Sequence, residues 1–244
     1  VNCGIVDESA RGDAEGLANM CSVREAGRMS TVASLPAAHV PVGYQASLFG
    51  IDDPWVDTRF EGIGRTWLDE HSWIDLLPRW MHGSDLLFGE LVARLPWRQR
   101  EVVMYDQMLL EPRLTAWWST ASSQPEPAPV LADARRALSG HYDRPFDSIG
   151  FNLYRDGRDS VAWHGDRVRD EHEDPTVVIV SLGSPRPFQV RARGGGPSQS
   201  WLLGHGDLLV MGGACQHDWE HCVPKVAHAH GPRLSIMFRH HLAS

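Results

Sequence analysis

Two rhythms of apolar residues divide the chain. Residues 84–95 (Ser84-Asp85-Leu86-Leu87-Phe88-Gly89-Glu90-Leu91-Val92-Ala93-Arg94-Leu95) place a capping residue and an acidic first turn ahead of apolar positions at helical spacing, and Pro96 stops the run. This predicts a helix. A second helix is predicted over roughly 129–138, closed by Gly140, after a loop at 122–129 that carries three prolines. From Ser148 the period becomes two. Phe151 and Leu153 alternate with Asn152 and Tyr154, and Leu234, Ile236 and Phe238 alternate with Ser235, Met237 and Arg239. Residues 176–182 and 208–211 are apolar runs, the first rich in β-branched residues and the second ending at Gly212-Gly213. The expectation is helices first and a strand-rich part after them, an α+β chain. Residues 1–43 show neither rhythm and are expected to be a poorly structured extension ahead of one domain spanning 44–244.

Composition narrows the class. The 244 residues are 42% hydrophobic with a mean hydropathy of −0.30, and no apolar run approaches the length of a membrane span. Four cysteines without a C-x-x-C pair, and no signal-peptide core near the start, suggest a reducing, cytoplasmic setting. The net charge of −8 excludes a strongly basic nucleic-acid surface but not a local patch. Residues 150–244 hold ten basic and ten acidic side chains together with nine of the 13 histidines, which points to chemistry in that stretch.

Side chains two apart on a strand share a face, so His164 and Asp166 would present an imidazole and a carboxylate side by side. A second tripeptide, His205-Gly206-Asp207, lies between two apolar runs and has the composition of a hairpin turn. His217 and His221 are both available as a third ligand. His221 is the better placed, because Arg233 and Arg239 follow it at 12 and 18 residues. Two imidazoles and one carboxylate suit a divalent iron with positions left open for co-substrate and dioxygen. A zinc site from Cys215, His217, His221 and Cys222 is the rival reading, with two ligands adjacent in sequence and poorly spaced for a tetrahedron.

Arg233, Ser235, Met237 and Arg239 fall on one face of a predicted strand. Inward-facing guanidinium groups need an anion, and their planar fork fits a carboxylate. 2-Oxoglutarate carries a carboxylate at each end, one for a metal and one for an arginine. Asn152 and Tyr154 share a face and can add hydrogen bonds to the same ligand.

These residues sit in longer matches. Asn152-Leu153-Tyr154-Arg155, Asp159 through Asp166, Gln216 through Lys225, and Pro232 through Arg239 closely resemble the AlkB family of iron(II) and 2-oxoglutarate dioxygenases, its nucleic-acid demethylases above all. The likeness begins near Leu95-Pro96-Trp97-Arg98, includes Pro112-Arg113-Leu114-Thr115-Ala116-Trp117 and reaches His240, about 60% of the chain. It implies a double-stranded β-helix, or jelly-roll, core at about 148–241 with helices packed on one face, and a nucleotide-recognition lid at about 97–121. It implies that His164, Asp166 and His221 bind Fe(II), and that Asn152, Tyr154, Arg233, Ser235 and Arg239 surround 2-oxoglutarate. Arg233 would take the far carboxylate. Tyr105, Trp117, Trp118, Trp163 and Arg167 would lie on the substrate side, with a tryptophan stacking on a flipped base.

The resemblance thus implies a monomeric dioxygenase using O2 to remove N-alkyl groups from alkylated DNA or RNA. One departure bears on substrate. Family members acting on methylated bases often carry acidic residues just after the H-x-D, where this chain has Arg167, Val168 and Arg169, and a cation cannot accept a hydrogen bond from an exocyclic amine. A 2-oxoglutarate-dependent hydroxylase of a protein or small metabolite is the alternative.

Overall fold

Where the sequence alternates, the chain forms strands that pair antiparallel. In the computed structural model, which describes residues 33–34, 52–104, 107–166, 175–227 and 231–240, nine strands make one sheet. Their order across it is Ala33–Ser34, Arg98–Gln99, Leu114–Ser119, Ser148–Tyr154, Arg233–Arg239, Val177–Gly183, Asp207–Gly213, Ser72–Leu77 and Gly64–Trp67. A second sheet has the order Val161–His164, Trp219–Val223, Arg186–Ala192 and Ser198–Leu203. From Ser148 onward the chain passes repeatedly from the large sheet to the small one and back.

Period two decides which layer each side chain joins. Phe151, Leu153, Val178, Val180, Val210, Leu234, Ile236 and Phe238 point to one face of the large sheet, where two helices cover them. Helix α1 (Ser84–Arg94) buries Leu87, Phe88 and Leu91, and helix α2 (Pro129–Tyr142) buries Val130, Leu131, Ala134 and Leu138. On the other face Val177, Ile179, Leu209, Met211 and Met237 meet Phe188, Val190, Leu203, Val161 and Val223 of the small sheet. The result is an α+β arrangement of helices, large sheet and small sheet, with an apolar core on each side of the large sheet.

Several expectations need correction. Strands are not confined to the second half, because Gly64–Trp67, Ser72–Leu77 and Leu114–Ser119 belong to the large sheet. The pattern of Ser72–Leu77 is obscured by Asp75, which is buried yet satisfied: both Arg65 donors reach it at 2.7 and 2.8 Å and the Tyr142 hydroxyl at 3.1 Å. Ser84 does not cap α1; its hydroxyl donates to the Met81 carbonyl at 2.7 Å. The cap position is Gly83, at φ 61°, where a Cβ would lie 2.5 Å from the Asp52 carbonyl oxygen. Helix α2 runs past Gly140 to Tyr142, and Asp143 takes the left-handed turn at φ 50° instead. His205-Gly206-Asp207 is a turn, but it carries the chain from the small sheet to the large one rather than closing a hairpin. There His205 Nδ1 accepts from the Gly183 amide at 2.8 Å and Asp207 accepts from the Gly204 amide at 2.7 Å. Among the described residues no helix is long and apolar enough to cross a membrane.

Candidate active site

His164 ends its strand directly opposite His221 on the neighbouring strand, and the two ring centroids are 4.3 Å apart. Cross-strand pairing, rather than nearness in sequence, thus joins the imidazoles. The strand stops at His164, so Asp166 reaches the site from the segment beyond it and not from the same strand face as expected. Gly165 allows this approach: a Cβ there would lie 2.7 Å from an Arg193 nitrogen and 3.3 Å from the Gln216 carbonyl oxygen. One donor atom from each of His164, Asp166 and His221 falls within 4.8 Å of the others, and among the described residues this trio is what is gathered tightly enough for a metal. The rival zinc set is not assembled. Cys215 is buried with its thiol on the Trp73 carbonyl at 3.3 Å, and His217 is exposed.

The electrostatics prepare these groups as ligands. His164 Nδ1 donates to the Ala162 carbonyl at 2.9 Å, which leaves Nε2 its lone pair. Burial pushes the His221 imidazole down to about 4 against the pull of Asp166, so the ring is neutral near pH 7. For Asp166 burial works toward protonation, but Arg239 and the two imidazoles together outweigh it and hold the carboxyl below its ordinary value. Arg239 donates to Asp166 Oδ1 at 2.7 Å, and the Asp166 amide donates to Gln216 Oε1 at 3.2 Å. Asp166 Oδ2 is buried without a hydrogen-bond partner among the described residues. A carboxylate oxygen with nothing to accept, beside two imidazoles, fits a divalent iron.

A cavity of about 730 Å³ lies against the trio, walled by residues of both sheets. Asn152, Tyr154, Ser235 and Arg239, expected from the sequence to surround a co-substrate, line it. Arg233 is not in the wall. It is buried across from Tyr154 in the strand register, with its guanidinium 5.3 Å from the tyrosine ring and its Nε donating to Ser181 Oγ at 2.9 Å. Both terminal nitrogens are buried with no hydrogen-bond partner among the described residues, and burial lowers the guanidinium from its ordinary value. Such a group calls for an anion.

The expected substrate residues separate. Trp117 lines the cavity and lies over Gly150, where a Cβ would come within 3.3 Å of its ring. Its neighbour Trp118 faces the other way, since successive strand side chains alternate. It is buried in the helix-covered core and its indole donates to the Gln124 carbonyl at 3.0 Å, so it packs the core rather than walling the cavity. Trp163 does not line the cavity either; the Arg191 guanidinium sits 4.1 Å over its ring. Tyr105 and Arg167 lie outside the described residues. Sequence reasoning gave no role to Arg98, Arg100 and Arg113, yet all three line the cavity. Their closeness to the motif at 112–117 was a signal only once Leu114–Ser119 was known to be a cavity strand.

Comparison with known proteins adds to this geometry. Residues 88–239 match the 2OG-Fe(II) oxygenase superfamily. The chain is 33% identical over 175 residues to the human alpha-ketoglutarate-dependent dioxygenase alkB homolog 3, a match covering 64% of this chain and 61% of that protein. The bovine homolog 3 matches at 33% with the same coverage. This chain is 27% identical over 212 residues to the DNA oxidative demethylase ALKBH2 of Arabidopsis thaliana, covering 65% of this chain and 67% of that protein. The matched part thus spans about 61% of the homolog 3 proteins' own length. Among solved structures, that of OsALKBH1 superposes with a TM-score of 0.51 over 73% of this chain and 100% of that one, at 16% identity, a likeness of fold. With its paired histidines and aspartate on one cavity wall and a family match running through them, this chain belongs to the 2OG-Fe(II) oxygenase superfamily.

Proposed function

We propose that this chain is an Fe(II)- and 2-oxoglutarate-dependent dioxygenase that removes N-alkyl groups from nucleic-acid bases. The observation that carries the reading is the cavity wall, where the metal-binding trio, whose Asp166 is the one carboxylate of the wall, shares its space with four arginines (Arg98, Arg100, Arg113 and Arg239), Arg113 being paired with Glu111 at 3.3 Å. On a chain of net charge −8, that local excess of cations suits anionic ligands: a dicarboxylate within and a phosphodiester at the mouth. The name of the ALKBH2 relative, a DNA oxidative demethylase, points the same way, and that of homolog 3 supports the 2-oxoglutarate-dependent dioxygenase chemistry. The repeated passage of the chain between two sheets supports a double-stranded β-helix for the core, and the strands Glu101–Met104 and Gln107–Leu110 would belong to a lid over it.

In this reading His164, Asp166 and His221 hold the iron. Once bound, iron with 2-oxoglutarate and dioxygen supplies the oxidant that hydroxylates the N-alkyl carbon, with succinate and carbon dioxide as co-products and an aldehyde released from the base. Arg233 holds the far carboxylate of 2-oxoglutarate beside Tyr154, whose hydroxyl burial keeps protonated and able to donate. Asn152, Ser235 and Arg239 orient the rest of the co-substrate, and Arg239 also fixes Asp166 in its ionised form. Trp117 offers its face to a base that has left the stack, while Arg98 and Arg100, both exposed, meet the flanking phosphates. A panel of methylated DNA and RNA oligonucleotides, incubated with Fe(II) and 2-oxoglutarate, tests this. Methyl groups should be lost with matching succinate formation, and His164→Ala should abolish both. Succinate formed with protein or metabolite substrates but with no oligonucleotide of the panel would overturn the nucleic-acid reading.

A further inference from the structure

The strand that carries His164 is short and lies at a sheet edge. Val161–His164 is four residues long and sits at the edge of the small sheet, next to Trp219–Val223. Its register to that neighbour is fixed at Val161↔Val223 and His164↔His221, with an irregularity between them. A ladder broken in this way does little by itself to set the angle between two imidazoles.

On the outer face of the same sheet, three side chains lie over this defect. Arg191, in the third strand, donates through Nε to Glu220 Oε1 at 2.6 Å on the middle strand. Its guanidinium then lies 4.1 Å over the ring of Trp163 on the edge strand. The reach is two strand spacings, on the order of 10 Å. Each partner abuts a candidate ligand: Trp163 precedes His164, Glu220 precedes His221, and Val190, next to Arg191, is opposite His221 in the register. Arg191 and Glu220 are mostly buried, so the contact is not a loose surface pair.

We propose that Arg191, with Trp163 and Glu220, is a positioning clamp that sets the spacing of the two histidine ligands and thereby the affinity for the metal. Trp163 acts from behind the site and not on substrate. The inference rests on the metal-centre reading above but needs no particular substrate. Groups that orient ligands from outside commonly govern metal affinity by about 10- to 100-fold.

The test is calorimetric titration of Mn2+ into the metal-free protein with 2-oxoglutarate present, alongside thermal melts of the metal-free variants. Arg191→Ala and Trp163→Ala should each weaken Mn2+ binding about ten-fold. Trp163→Phe, which keeps an aromatic face, should stay within about two-fold of the wild type. Arg191→Lys keeps the charge for Glu220 and gives up the planar stack, so it should fall between, and it carries the test if Arg191→Ala does not fold. Mn2+ affinity unchanged in the alanine variants, or lost equally in Trp163→Phe, would overturn the clamp. A wild-type protein that binds no Mn2+ would overturn the metal centre instead, and a failed oligonucleotide assay with normal Mn2+ binding would count against the substrate reading alone.

Discussion

Arg233→Met separates binding from stability in a way that few substitutions can. Arg233 is a buried cation whose terminal nitrogens have no hydrogen-bond partner among the described residues, while its Nε donates to Ser181. Removing it costs the Ser181 contact, about 1 kcal/mol, and the contact with the Tyr154 ring, but relieves a buried cation with no anion beside it among the described residues, and such exchanges for an apolar side chain of similar volume are often neutral or stabilising. The melting temperature of the ligand-free variant should therefore match or exceed that of the wild type. Toward 2-oxoglutarate the balance reverses. In the role proposed for Arg233, the far carboxylate would lose charged hydrogen bonds and be left buried without a partner, a penalty of about 3 kcal/mol, or roughly 150-fold in affinity. The assay is a pair of measurements on each protein: 2-oxoglutarate binding by calorimetry with Mn2+ present, and melting temperature with and without 2-oxoglutarate. The wild type should be stabilised by millimolar 2-oxoglutarate and the variant should not. Affinity within about three-fold of the wild type, or a ligand-free melting point lower by more than about 4 °C (some 1 kcal/mol or more at this size), would refute the reasoning.

Three further outcomes follow from the structure. Arg98→Ala and Arg100→Ala should weaken binding of single-stranded oligonucleotides uniformly across sequences and each lower the salt slope by about one, measured by anisotropy at several salt concentrations; an unchanged slope would remove these residues from the phosphate path. Trp118→Ala should cost about 3–5 kcal/mol in denaturant melts because it leaves a hole in the helix-covered core, whereas the cavity-facing Trp117→Ala should leave stability within about 1 kcal/mol and raise the KM for oligonucleotide. Burial pushes the Cys215 thiol up to about 12 from an ordinary value near 9. A folded value raised above the unfolded one means its contribution to stability is complete below about pH 9 and is lost as pH rises toward 12, so Cys215→Ala should show a shallower loss of stability over that window, checked by melts at pH 8 and 10.5.

What the sequence could disclose depended on whether a residue's role is local. The alternation in 233–239 was legible because every second side chain enters the same core, and the strand Arg233–Arg239 forms across that whole stretch. Ser72–Leu77 was not legible, because its buried Asp75 is balanced by Arg65 and Tyr142, residues 10 and 67 positions away that no local pattern can reveal. The same distinction runs through the site. His164 and Asp166 stand two apart in the sequence, so their partnership could be read directly. His221 could be preferred over His217 only by its spacing to the arginines, whereas the physical reason is the strand register that sets it opposite His164. Trp163 shows the cost of reading by proximity: adjacent to a ligand in sequence, it was expected on the substrate side, yet it lies off the cavity wall and under Arg191. A residue next to a ligand on a strand need not share its cavity, and the effect of Trp163, which lies off the wall, must pass through the backbone. Loss of Trp163 should therefore be felt in metal affinity before it is felt in substrate binding.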